Sequence, residues 1–223
     1  MVRARRVAVR CFVAALAVIS TGCATTSALH SPDASEWVNW PLTPRPEGAI
    51  SERKLVTRAS SLVGLSTLKV AAPNLPDDCT GLVRAVYDDS GIELMSAAAR
   101  GDNGVTAMYR LAFERSALHT QLPAPGDLVF FLDTYDRNRD GKANDGLTHV
   151  GVVLSVDAAG NVTFVHRIGG GVRRGHLNLN APDDPKRNDY LRPAKKGQPA
   201  QLTGELFAAF ASASRLAGAA VRR

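Results

Sequence analysis

Asp77-Asp78-Cys79-Thr80-Gly81-Leu82-Val83-Arg84-Ala85-Val86-Tyr87 puts one cysteine at the head of an apolar run. Leu82, Val83, Val86 and Tyr87 recur at intervals of three and four, which predicts a helix with one buried face. Asp77 and Asp78 are residues of the N-cap type, so Cys79 falls in the first turn. The unpaired amides and positive dipole end of such a turn favour a thiolate over a thiol, and the thiolate is the nucleophilic form. A lone cysteine is also a small apolar side chain suited to burial. By itself this stretch leaves both readings open.

Three downstream blocks bear on the choice. They are Pro125-Gly126-Asp127-Leu128-Val129-Phe130-Phe131, then Thr148-His149-Val150-Gly151-Val152-Val153-Leu154, then Phe164-Val165-His166. With Asp-Cys-Thr-Gly ahead of them, the ordered set resembles the NlpC-type cell-wall cysteine peptidases, papain-like enzymes that cut peptidoglycan stem peptides. The resemblance spans residues 51–195. It implies an α+β fold with the nucleophile helix packed on a small antiparallel sheet. Carried over by position, it makes Cys79 the nucleophile, His149 the general base and His166 the residue that orients the base. Residues 66–76 depart from the family, which often places a tyrosine and glycines there to shape the cleft mouth; here the run is Val70-Ala71-Ala72-Pro73-Asn74-Leu75-Pro76.

The residues support that architecture independently. From Ser51 a first helix is expected, with Leu55, Ala59, Leu62 and Val63 on one face and Gly64 at its end. Asp88-Asp89-Ser90-Gly91 stops the Cys79 helix, and residues 92–118 read as loop and short helix, with Met108, Leu111 and Phe113 as core candidates. Strands are expected at 127–132, 149–156, 162–166, 171–173 and 190–192. If Asp157-Ala158-Ala159-Gly160-Asn161 is a hairpin loop, His149 and His166 meet across antiparallel strands. His119 reads as a surface histidine and His176 as a structural one. Leu206, Phe207, Phe210 and Leu216 predict an amphipathic terminal helix in an extension covering 196–223.

At 223 residues, 45% hydrophobic and 22% charged, the chain matches one globular domain with extensions. Residues 1–22 carry Arg3, Arg5, Arg6 and Arg10, then an apolar run too short for a permanent membrane span, as in a secretory signal. Ser20-Thr21-Gly22-Cys23 resembles a bacterial lipobox, which makes Cys23 the expected lipidation site. Residues 23–50, with Trp37, Trp40 and Pro41-Leu42-Thr43-Pro44-Arg45-Pro46, read as a tether. Removing four arginines lowers the net charge from +6 to about +2, and no basic stripe remains that would suit nucleic acid. Without Cys11, and with Cys23 lipidated, Cys79 has no disulfide partner. The expected location is the cell envelope, on the outer membrane facing the periplasm.

Ahead of His149 lies Asp133-Thr134-Tyr135-Asp136-Arg137-Asn138-Arg139-Asp140-Gly141-Lys142-Ala143-Asn144-Asp145. Oxygen side chains at Asp136, Asn138 and Asp140 followed by Gly141 match the first half of an EF-hand calcium loop. Leu147 stands where the closing glutamate belongs, so Asp145 is the late ligand of any shorter calcium loop. The alternative is a solvated turn.

The expected activity is a cysteine endopeptidase on stem peptides, in which a Cys79 thiolate is ion-paired with protonated His149 and the Cys79 amide donates to the oxyanion. Amidase or acyltransferase chemistry on the same triad, or an idle wall-binding module, are the alternatives. The expected partners are peptidoglycan stem peptides and the membrane through the lipid anchor. No cofactor is needed for this catalysis, structural calcium aside, and a monomer is expected.

Overall fold

The computed structural model describes residues 52–195 and 197–218. The expectations for the leader, Cys23 and the tether with its two tryptophans lie outside them. No helix among the described residues is long and apolar enough to cross a membrane.

Among the described residues five α-helices and eight strands follow in the order α1 (Glu52–Leu62), α2 (Cys79–Tyr87), α3 (Gly104–Glu114), β1 (Leu118–His119), β2 (Leu128–Leu132), β3 (Leu147–Val156), β4 (Val162–Ile168), β5 (Gly171–Leu177), β6 (Tyr190–Arg192), β7 (Gln201–Leu202), α4 (Thr203–Leu206), β8 (Phe207–Ala211) and α5 (Ala213–Gly218). The main sheet has six antiparallel strands in the order β1-β8-β2-β3-β4-β5, and β6 pairs with β7 apart from it. Helices beside an antiparallel sheet make this an α+β fold, as the sequence predicts.

Strand alternation divides the apolar side chains between two cores. Phe130, Val150, Val152 and Val165 face Leu55, Leu82, Val83, Val86 and Met108 of the helices in the larger core. Val129, Phe131, Val153, Phe164 and Phe210 form the smaller core on the other face. Each fully buried side chain of this size stabilises the fold by about 1.5–3 kcal/mol. Leu55, Ala59 and Leu62 of α1 are buried as predicted, and Arg58 reaches from α1 to the Ala85 carbonyl of α2. Met108 and Leu111 of α3 are also buried, whereas Phe113 is 49% exposed and is not a core residue.

The C-terminal segment departs from expectation. In place of one amphipathic helix over 202–216, β8 lies between β1 and β2, with Phe210 opposite Val129 and Ala211 opposite Leu128. The physical reason is double burial. Ala208 and Ala209 are buried, Phe210 lies in the smaller core and Ala211 in the larger one, so the strand shows no polar alternation. A short apolar run of that kind does not distinguish a helix from a covered strand. Asp127, 1% exposed, joins this end to the Pro-Gly-Asp turn by accepting from the amides of Ala124 and Ala213. Gly126 in that turn has φ +95°, which favours glycine.

Candidate active site

The Cys79 block forms a helix start of the predicted kind. Asp78 is the N-cap of α2, its carboxylate accepting from the Gly81 amide at 2.9 Å and the Thr80 hydroxyl at 2.7 Å. Gly81 has a steric reason to lack a side chain. A Cβ there lies 1.8 Å from the Pro76 carbonyl oxygen, where the chain crosses the helix before entering it. The approach segment is fixed by Asp77, which accepts from the Thr67 hydroxyl, the Leu68 amide and both Nε and Nη2 of Arg167 on β4. Those bonds, with the guanidinium first, hold its carboxyl well below the usual carboxylate range.

On the sheet, His149 belongs to β3 and His166 to β4. The paired residues Val152 and Val165 place Gly151 opposite His166, so His149 is the diagonal neighbour on the same face. Nε2 of His149 lies 3.0 Å from Nδ1 of His166. Both rings are buried, backed by Phe131 and Phe164 of the smaller core. Start-of-strand geometry around His149 is held on two sides. Asn103, the N-cap of α3, donates to the Leu147 carbonyl at 3.0 Å, and the Thr148 hydroxyl accepts from the Thr134 amide at 2.8 Å.

Cys79 and His149 line one cavity of about 650 Å³, together with Tyr135, Thr148, Arg167 and Asp77. Tyr135 and Arg167 join this lining without a motif of their own. Nothing local marks them; the 133–145 loop and the end of β4 bring them there. The phenol of Tyr135 is raised above its ordinary value by burial first and then by the neighbouring Cys79.

The electrostatics bear on the expected ion pair. Burial pushes the Cys79 thiol up to about 12, and the Asp78 carboxylate beside it pushes in the same direction. Burial likewise lowers His149 to about 3, with His166 adding to the effect, and His166 itself to about 4. Burial thus works against the thiolate–imidazolium pair expected from the helix start. The amides of Val150, Thr80 and Cys79 favour the thiolate, but burial and the N-cap carboxylate, which also takes the Gly81 amide, outweigh them. A thiol and an imidazole lining one cavity, with Nε2 of the imidazole bonded to a second ring, are the residue types that acyl transfer requires.

The other sequence-predicted residues lie in the loop that carries Tyr135. Asp136 accepts from the Gly141 amide, Asn138 from the Asp140 amide, Asp140 from the Lys142 amide and Asp145 from the Asn138 amide. Among the described residues, no three His, Cys, Asp or Glu side chains converge as a metal cluster. His119 is partly buried in β1, 3.5 Å from Asp127, rather than on the surface, and His176 pairs with Asp189 at 3.2 Å.

No curated protein matches the sequence. The sequence model of the NlpC/P60 family matches residues 70–186, from ahead of α2 to beyond β5 and so across Cys79, His149 and His166. That match covers just over half of the chain, which therefore belongs to the NlpC/P60 family of cell-wall hydrolases.

Proposed function

We propose that the protein is a cysteine endopeptidase that hydrolyses peptide bonds in peptidoglycan stem peptides. The observation that carries this reading is that Cys79 and His149 line one cavity, with Nε2 of His149 bonded to His166. In the tautomer in which His149 donates through Nε2, its Nδ1 is the free lone pair. Substrate entry brings the scissile carbonyl to the thiol. As Sγ attacks the carbonyl carbon, Nδ1 takes the thiol proton, which avoids a free thiolate in a site that disfavours one. The resulting imidazolium is stabilised by His166 and gives its proton to the departing amine. Water, deprotonated by the same nitrogen, then cleaves the thioester and restores the thiol. The Cys79 amide is the donor proposed for the oxyanion.

The lipobox-like segment supports anchoring through Cys23 to the envelope, on an outer membrane facing the periplasm, which would hold the enzyme beside its polymer. Cys23→Ser is expected to move the protein from the membrane fraction to the soluble one.

Digestion of defined muropeptides, with products read by mass, tests the activity and its class. A new amine inside the stem peptide is the expected product. Release of the whole stem from the sugar establishes an amidase instead, transfer of the acyl group to an added amine without hydrolysis an acyltransferase, and binding without any product an idle wall-binding module.

A further inference from the structure

We infer that the loop from Asp136 to Asp145 is a calcium site. The decisive observation is a pair of carboxylate oxygens with neither solvent nor a partner. The Asp136 side chain is 10% exposed, and its Oδ1 has no accessible surface and no hydrogen bond. Oδ2 of Asp145 is in the same condition. The other oxygen of each carboxylate is held inside the loop, Oδ2 of Asp136 by the Gly141 amide at 3.1 Å and Oδ1 of Asp145 by the Asn138 amide at 2.9 Å. Each carboxylate thus has one oxygen bonded within the loop and the other buried without a partner.

An anionic oxygen removed from water without a donor is costly, and two in one loop reinforce each other unless a cation lies between them. Lys195 is paired with Asp136 but does not fill this role, since its Nζ lies 3.6 Å from Oδ2, the oxygen already bonded. Arg192 is buried beneath the loop, but it donates to the carbonyls of Asp133 and Lys142.

The donor set is all oxygen, which selects a hard cation. Calcium accepts about six to eight oxygens in irregular geometry, including amide, carbonyl and water oxygens, so two carboxylates can be completed by neutral oxygens, whereas zinc and copper favour nitrogen or sulfur ligands. Asn138 and Asp140 retain lone pairs beyond the amide bonds they accept. Leu147 at the twelfth position belongs to β3 and is 1% exposed, which excludes EF-hand closure and leaves Asp145 as the closing carboxylate. Tyr135 immediately precedes Asp136 and lines the Cys79 cavity, so the cation would sit one residue from the cleft wall.

Calorimetric titration of calcium chloride into the chelator-treated protein is expected to show one site per chain. The thermal midpoint should rise by about 5–10 °C when calcium is a hundredfold above its Kd. Asp136→Asn and Asp145→Asn should each abolish the heat and the shift. In chelator, Asp145→Asn should melt no lower than the parent, because it removes an uncompensated buried charge. Absence of both heat and midpoint shift in the parent protein overturns the assignment, as does an undiminished calcium response in the two variants.

Discussion

His149 and His166 meet through Nε2 and Nδ1 at 3.0 Å, on adjacent strands and two residues off direct opposition. This contact commits one nitrogen of His149 to the sheet and leaves the other for chemistry. It also buries two titratable rings against Phe131 and Phe164, which gives the pair a thermodynamic signature.

Stability should fall on acidification. His149 and His166 are lowered to about 3 and about 4, while the same side chains in the unfolded chain titrate near 6.5. Between these values the unfolded chain binds more protons, so the free energy of unfolding decreases as pH drops. The thermal midpoint is expected to decline from about pH 6.5 towards pH 4, and His149→Gln should flatten that decline. A parent midpoint constant across the window contradicts neutral burial of the pair.

Alkylation reports the state of the thiol. With Cys79 pushed up to about 12, its reaction with iodoacetamide should accelerate with pH past 10 and show no plateau near neutrality. A rate already saturated at pH 6 would establish the thiolate–imidazolium pair instead.

Gly81 is the tightest steric constraint beside the nucleophile. Gly81→Ala drives a methyl group into the Pro76 carbonyl and should cost more than about 3 kcal/mol or prevent folding. Gly169→Ala is the control, because a Cβ there meets nothing within 4 Å, and its stability should stay within about 1 kcal/mol of the parent. Chemical denaturation measures both, and equal effects would refute the steric argument.

The C-terminal strand should be indispensable. A chain ending at Lys195 lacks β8, and with it the partner that joins β1 to β2 and covers Leu128 and Val129. It is expected to be insoluble or to lose native circular dichroism. A truncated chain with a native spectrum and a cooperative melt contradicts the topology.

The contrast between this strand and its neighbours shows what the sequence reveals. β2, β3 and β4 were legible because they combine β-branched and aromatic runs with clear turn signals, Pro125-Gly126 and Asp157 to Asn161. Phe207-Ala208-Ala209-Phe210-Ala211 was not, since alanine favours helices intrinsically and burial on both faces erases the period of two. At the site, Cys79, His149 and His166 were legible from motif order. Tyr135 and Arg167 carry no local signal, and the desolvation that shifts Cys79 and His149 arises only in the packed structure.

The most direct test of the proposed chemistry compares the parent with Cys79→Ala on the same muropeptides, counting new amino termini per stem peptide. The account predicts cleavage by the parent and a loss of at least about a thousandfold in kcat/KM in the variant, which removes the nucleophile while leaving the sheet and both histidines in place. Cleavage by Cys79→Ala at the parent rate would contradict it.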